Sequence, residues 1–346
     1  MPKSRKLVVG WHGLPAYAAR LIRRGQINCA FDFQVLGTRP DVPIKGMESI
    51  LGKTLKWIDA DIEHTWSELG LEIPDIFIHT SWCYQHFNSL AKEVRANGGQ
   101  VIGMFDNCWK RNLRQIIGGI YFRFVLLKRF NAAWVPGKSG RKFARYLGFK
   151  KKQIFEGMYG ADPEIFKCIV PINQRPQRII FVGRLIHRKG IMELVNAFSN
   201  ICEEFHNWEL LIVGEGKLLE QVKTFRNVKC LPFMQPEKVA KLMNESKIFV
   251  LPSREEHWGV VVHEAALCGC ALLLQSNIGA LYDLANNNNS EVFDKTTTKA
   301  IEAALVKIIS WDNKKFNRAS ISSQKVAKIF GPVRWASQLA KIKDFV

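Results

Sequence analysis

Short apolar runs alternate with stretches of helical periodicity along both halves of the chain. In the first half, residues 6–9, 31–36, 76–79, 101–105 and 132–135 are compact apolar runs that read as strands. Residues 16–24, 57–69 and 85–97 carry apolar side chains at helical spacing and read as the intervening helices. The second half repeats the pattern, with predicted strands at 178–182, 209–213, 228–231, 248–251 and 271–274. Helices are expected between them at 191–204, 217–224, 237–245 and 260–268. Alternation of this kind in each half predicts an α/β chain with two doubly wound, Rossmann-like domains. The expected boundaries are a first domain over 1–170, a second over 176–325, and a linker at the Pro/Asn/Gln-rich stretch 169–177. Residues 326–346 end in an amphipathic segment after Gly331-Pro332, expected to pack back on the first domain.

Length and composition fit this division. A chain of 346 residues is long for one domain, and 47% hydrophobic with 23% charged residues excludes a disordered chain. No uninterrupted apolar run reaches the length of a membrane span; the longest candidate, 258–274, contains His263 and Glu264. The basic start, residues 1–6, leads into a Leu-Val-Val too short for a signal-peptide core. Eight cysteines without a Cys-x-x-Cys pair suggest reduced, buried thiols and a cytoplasmic protein.

The net charge of +19 is concentrated in the first half, where residues 1–175 hold 27 Lys and Arg against 14 Asp and Glu. Its densest part runs from Lys110 and Arg111 through Arg114, Arg123, Lys128 and Arg129 to Lys150–Lys152, interleaved with Ile116, Ile117, Ile120, Tyr121, Phe122 and Phe124. Such a stretch fits an anionic membrane surface, and equally a core helix with a solvated basic face. No nucleic-acid recognition module accompanies the charge, so nucleic acid is not an expected partner.

Chemistry concentrates at residues 252–265, PSREEHWGVVVHEA. The apolar run before it ends at Pro252-Ser253, a polar loop holds Glu256, and Gly259 opens a helical segment that carries Glu264. A strand, a polar loop and a helix N-terminus at the carboxyl edge of an open sheet make an anion site. Two carboxylates there would repel a phosphate and suit sugar hydroxyls, and a nucleotide sugar has both parts. Earlier, Gly183-Arg-Leu-Ile-His-Arg-Lys-Gly190 allows a sharp turn at Gly183 and places the cations Arg184 and Lys189 before a helix, where they could hold a diphosphate. Alone, that loop could equally be a solvated basic turn, and Gly214-Glu215-Gly216 could be a plain tight turn.

Together and in order, these motifs resemble the retaining glycosyltransferases of family 4, also called group 1 glycosyltransferases. The resemblance rests on Gly183-Arg184-Leu185 with Lys189-Gly190, on Gly214-Glu215-Gly216, on Glu256 with Glu264, and on Gly279-Ala280 with Asp283. It is strong over residues 176–310 and only in outline before them. It implies the GT-B fold, two Rossmann-like domains facing each other across a cleft, with the acceptor on the first and the nucleotide sugar on the second. Arg184 and Lys189 would bind the donor diphosphate at the glycine turns Gly183, Gly214 and Gly216. Glu264 would chelate the ribose, and Glu256, with backbone amides near Trp258 and Gly259, would address the donor sugar. Trp258 stands where the family usually has Phe, and Asp283 where it usually has Glu.

The first half departs further from the family. Gly10-Trp-His-Gly13 stands for its glycine-rich loop, so Gly13 could approach a phosphate or the acceptor, or simply turn the chain. Asp106 stands where a histidine is expected, and could contact a donor-sugar hydroxyl or cap a helix. His79, at another strand end, is a further candidate beside a structural histidine. Asp59-Ala-Asp61 matches the Asp-x-Asp of metal-dependent transferases, but it falls in the predicted helix 57–69 and is read as surface, leaving no metal or other cofactor expected. The resemblance implies same-face attack, the departing phosphate oxygen taking the acceptor proton. The expected activity is retaining transfer of a hexose-type sugar from a nucleotide sugar, preferably a UDP-sugar, to a saccharide or lipid-linked saccharide. That activity suits bacterial surface polysaccharide or lipopolysaccharide synthesis at the inner face of the cell membrane. A non-hydrolysing nucleotide-sugar epimerase and a non-catalytic membrane-binding protein on the same scaffold are the alternatives.

Overall fold

The computed structural model describes residues 5–109, 112–225 and 227–345. Lys110 and Arg111 of the basic stretch, and the first four residues of the basic start, lie outside them. The chain divides into two compact units, one formed by residues up to Gly160 together with those from Phe330 on, the other by Ala161–Ile329.

The first unit contains β1 (Lys6–Trp11), α1 (Ala16–Asn28), β2 (Asp32–Gly37), α2 (Met47–Leu51), β3 (Leu55–Trp57), β4 (Ile76–Thr80), α3 (Gln85–Ala96), β5 (Gln100–Met104), α4 (Leu113–Tyr121), β6 (Ala132–Val135), α5 (Lys138–Tyr146) and β7 (Ile154–Glu156). Among the described residues its strands form one parallel sheet in the order β3-β2-β1-β4-β5-β6-β7. β1 lies between β2 and β4, pairing Val9 with Val35 on one side and Gly10 with His79 on the other. Helices cover both faces, so the central strands are buried on both sides and read as unbroken apolar runs. That is why the strands were visible in the sequence.

The second unit follows with β8 (Arg178–Val182), α6 (Ile191–Ile201), β9 (Glu209–Val213), α7 (Leu219–Lys223), β10 (Val228–Leu231), α8 (Pro236–Asn244), β11 (Ile248–Leu251), α9 (Val260–Leu267), β12 (Ala271–Gln275), α10 (Leu281–Leu284), β13 (Ser290–Phe293), α11 (Thr298–Ile309) and α12 (Asn313–Ala327). Its parallel sheet runs β10-β9-β8-β11-β12-β13. The chain then returns to the first unit as α13 (Pro332–Phe345), which packs on α1. Trp335 and Leu339 on α13 are fully buried, and the Trp335 ring stacks on Trp134 of β6 at 4.7 Å. A Cβ on Gly25 of α1 would lie 2.4 Å from the Trp335 ring, so α1 needs glycine there for α13 to dock.

Two sequence expectations fail here. Residues 57–69 are not a helix: β3 ends at Trp57 and the chain continues through bends and turns to β4. The Asp59 side chain accepts from the Asp61 amide at 2.9 Å, a local bond that competes with helix formation, while the buried Trp66 donates Nε1–H to the Leu90 carbonyl. The apolar spacing there reflects anchoring of an irregular segment.

Nor are residues 169–177 a free linker. Residues 161–175 already belong to the second unit, held by the buried Arg175 guanidinium, which donates to the carbonyls of Val170, Met243, Ser246 and Cys268.

Candidate functional site

In an open parallel sheet, ligands bind beyond the carboxyl ends of the strands where the strand order reverses. In the second unit that point lies between β8 and β11, and the loops leaving these two strands are the ones singled out in the sequence. They are fastened to each other. Gly190 has φ +67°, and a Cβ there would meet the Pro252 carbonyl oxygen at 2.4 Å, so only glycine lets the first loop lie on the second. Arg188 donates to the Glu255 carbonyl at 2.7 Å, and the Arg254 amide to the Arg188 carbonyl at 2.9 Å. Thr296 Oγ1 donates to the Pro252 carbonyl from beyond β13.

Within this frame the Lys189 ammonium forms an ion pair with Glu256, both side chains mostly enclosed. The structure thus joins the cation assigned to the diphosphate with the carboxylate assigned to the sugar. Arg184 is exposed, and among the described residues its guanidinium has no partner. The Glu256 carbonyl accepts from the Gly279 amide and the Trp258 carbonyl from Ala280, which fixes the Gly279-Ala280 loop against the glutamate loop. Gly259, at φ +92°, turns the chain into α9. Glu264 lies in the second turn of α9, half-buried, and burial pushes its carboxyl up to about 7. Among the described residues that carboxyl has no hydrogen-bond partner, so it can accept from ligand hydroxyls.

Other assigned residues serve the frame. A Cβ on Gly214 (φ +146°) would stand 2.0 Å from the Gly183 carbonyl oxygen, and one on Gly216 (φ +153°) would stand 2.4 Å from that of Leu185. These glycines let the β9 loop lie on the β8 loop, which the Leu185 amide secures by donating to Glu215 O at 2.8 Å. The Trp258 indole is 1% exposed and donates toward Asp283 at 3.4 Å, so only its backbone can face a ligand. His263, which the sequence reading did not assign, is fully buried. Its Nδ1 accepts from the Ala161 amide and its Nε2 donates to the Ala327 carbonyl, each at 2.8 Å, while burial pushes its pKa down to about 4. It is a neutral staple for α9.

The first unit has its own reversal, between β1 and β4. Gly13 turns the chain there at φ +60°, donating to Thr38 Oγ1 at 2.7 Å, and a Cβ on it would meet only Pro40 at 3.9 Å. His12 was not singled out by sequence reasoning. Its ring stacks on Tyr84 at 3.8 Å and its Nδ1 lies 3.3 Å from Thr38 Oγ1. Burial lowers its pKa, opposed by Asp41. Asp106, after β5, accepts from the Tyr159 hydroxyl at 3.2 Å. Ser81, the one described non-glycine residue with positive φ (56°), sits between β4 and Tyr84, at the kind of place where backbone strain collects around function. No signal in the sequence joined His12, Tyr84 and Tyr159, which are distant along the chain.

His79 lies inside the first unit's sheet. It is fully buried on β4, its ring 5.0 Å from that of Phe77 and 5.6 Å from that of Phe130, and burial pushes its pKa down to about 4. The ground for dismissing Asp59 and Asp61 also changes, because they follow β3 directly instead of lying inside a helix. Among the described residues, no group of three or more His, Cys, Asp and Glu side chains could hold a metal ion.

Residues 163–325 match the family model for glycosyl transferases, group 1. An uncharacterized glycosyltransferase of Methanocaldococcus jannaschii is 30% identical over 126 residues, covering 34% of this chain and 32% of that protein. A capsular polysaccharide biosynthesis glycosyltransferase, CapM of Staphylococcus aureus, is 26% identical over 136 residues, 38% of this chain and 36% of that one. The chain thus spans about a third of the length of these curated relatives. Among solved structures, Anabaena HepE in complex with UDP superposes with a TM-score of 0.77 at 14% identity, covering 99% of this chain and 100% of that one. The same protein has been solved with UDP and glucose. The two parallel α/β sheets are those of the GT-B glycosyltransferases.

Proposed function

We propose that the chain, whose residues 163–325 match the family model for glycosyl transferases, group 1, moves a hexose-type sugar, with retention, from a UDP-sugar to a saccharide or lipid-linked saccharide. The observation that carries this reading is the Lys189–Glu256 ion pair joining the loops that leave β8 and β11 at the strand-order reversal, with Arg184 in the first of these loops and Glu264 on α9 after the second. The second unit would take the nucleotide sugar and the first the acceptor. UDP is favoured because a protein of the same fold, HepE, binds it.

In this reading Arg184 and Lys189 stabilise negative charge on the departing diphosphate, without a metal or other cofactor. The diphosphate draws Lys189 from Glu256, and the freed carboxylate accepts donor-sugar hydroxyls. Glu264 accepts from the ribose, and within the first unit Asp106 is the carboxylate assigned to a sugar hydroxyl. The acceptor attacks the anomeric carbon on the face the diphosphate leaves, and a phosphate oxygen takes the acceptor proton. An anionic membrane surface at the inner face of a bacterial cell membrane would bring a lipid-linked acceptor within reach. CapM, a relative in capsular polysaccharide synthesis, supports a place in surface polysaccharide or lipopolysaccharide assembly.

The test is to incubate the purified protein with UDP-, GDP- and ADP-sugars and follow nucleotide release by chromatography. Release from a UDP-sugar above the rest, lost on Arg184→Ala, is expected. Release from none of them would overturn the transferase reading; preference for GDP or ADP would replace the donor alone.

A further inference from the structure

No acidic residue occurs between Asp106 and Glu156, a stretch that holds 13 lysines and arginines. Within it, Asn112 caps α4 by accepting from the Gln115 amide, and α4 runs directly into a π-helical turn, Phe122–Leu126. One side of this element faces inward. Phe122 is 1% exposed, Leu126 is buried, and Gly119 is so close to Tyr146 that a Cβ would lie 2.1 Å from its ring. On the other side Leu113, Ile117, Ile120, Tyr121 and Phe124 are 53–77% exposed. Their spacing of four, three, one and three residues is that of a single helical stripe. The exposed cations Arg114, Arg123, Lys128 and Arg129 accompany it.

A core helix with a solvated basic face does not describe this element. A core helix buries its apolar face, whereas here a second apolar face is left uncovered. An unpartnered stripe of this kind marks an interaction surface. A second copy of the chain would bring two copies of this acid-free basic stretch together, and like charge opposes that pairing. Nucleic acid would use the cations but leave the apolar stripe without a partner. An anionic bilayer satisfies both, with phosphate headgroups for the cations and acyl chains for the stripe. Among the described residues no helix is long and apolar enough to cross a membrane, so α4 would lie in the plane of the surface.

We propose that α4 and its π turn insert into an anionic bilayer through Leu113, Ile117, Ile120, Tyr121 and Phe124, with Arg114, Arg123, Lys128 and Arg129 at the lipid phosphates. The inference rests on the membrane partner proposed above, and adds that attachment is hydrophobic once made. Salt then separates the two claims, since screening weakens attraction between charges and leaves buried apolar contacts in place.

The experiment is sedimentation of the full chain with phosphatidylcholine vesicles, with and without phosphatidylglycerol, at low and at high salt. The wild type should pellet with the anionic vesicles and largely remain there when salt is raised afterwards. A Leu113→Ser, Ile117→Ser, Phe124→Ser variant, exposed at every position and checked for unchanged thermal unfolding, should bind about tenfold more weakly or less. An Arg123→Glu, Lys128→Glu, Arg129→Glu variant should lose capture at low salt. Complete release by salt, with the serine variant binding as the wild type does, overturns insertion and leaves an electrostatic membrane partner standing. No pelleting with anionic vesicles at low salt overturns both, and a salt-resistant dimer in light scattering would then assign the stripe to a second copy.

Discussion

Each sheet reverses its strand order once, and the loops gathered at the two reversals are built differently. In the second unit, glycines at 190, 214 and 216 bring backbone against backbone, and a charged set, Lys189, Glu256, Glu264 and Arg184, stands on that frame. In the first unit the turn at Gly13 has open space around it, and the groups present are rings and hydroxyls: His12 on Tyr84, Thr38, and Tyr159 on Asp106. A rigid, charged loop cluster suits a diphosphate whose shape is constant. A looser aromatic cluster suits the apolar faces and hydroxyls of a saccharide.

The largest effect expected from breaking this contrast is catalytic. Arg184→Ala removes an exposed cation, and should cost about 2–4 kcal/mol of transition-state stabilisation in kcat/KM, with unfolding unchanged. Near-normal turnover would remove Arg184 from the diphosphate site. Lys189→Ala should cost as much in turnover and also lower stability, because it strands Glu256 without its ion-pair partner in a mostly enclosed position.

A smaller effect compares the frames themselves. Gly214→Ala must accommodate both a positive φ and a backbone clash, and should destabilise by about 3 kcal/mol. Gly13→Ala meets only the φ penalty and should cost about 1 kcal/mol. Urea unfolding of the two variants decides, and equal losses would mean that the two turns are equally constrained.

The subtlest expectation concerns protons. Glu264 has a folded pKa of about 7, above the 4.5 of a free carboxyl, so the folded state holds the extra proton between those values. Its contribution therefore lowers stability as pH rises from 4.5 to 7, and Glu264→Gln should flatten that part of the profile. Ribose hydroxyls favour the charged form, so UDP binding should release protons below pH 7, with affinity rising toward pH 7 and levelling above it. Calorimetry in buffers of different ionisation enthalpy measures this. Glu256→Gln frees Lys189 from its ion pair and should tighten UDP binding while leaving proton release in place, whereas proton release that persists in Glu264→Gln would assign it to another group.

Legibility in the sequence followed the same contrast. β8, β9, β10 and β11 stand at the residues their apolar runs predicted; β8, β9 and β11 lie inside the sheet, where both faces are covered and the run is nearly unbroken, and β10 is an edge strand interrupted by the exposed Lys229. The charged loops were also readable, since Gly183–Gly190 and Glu256–Glu264 are local spacings at strand ends. The first-unit cluster was not. His12, Thr38, Tyr84 and Tyr159 come together only through the parallel pairing of β1, β2 and β4 and the passage of the chain after β7. The false helix at 57–69 has a related cause: Trp57, Ile58, Trp66 and Leu69 mimic a helical stripe, while the backbone bonds that would make one are taken by Asp59 and by turns. β3, β7 and β13, edge strands of three or four residues, were too short to show a period.

Arg175 also decides how the protein can be cut. Its cation meets no carboxylate among the described residues; it is held by four carbonyls and lies within 3.2 Å of Cys168 Sγ and 3.8 Å of Cys270 Sγ. A fragment trimmed to begin at β8 would lose that guanidinium and leave the Met243, Ser246 and Cys268 carbonyls without their donor beneath α8 and α9. The smallest fragment that keeps the second unit whole therefore starts at Ala161, ahead of the family match, and the fifteen residues before Pro176 are its keystone rather than its tether.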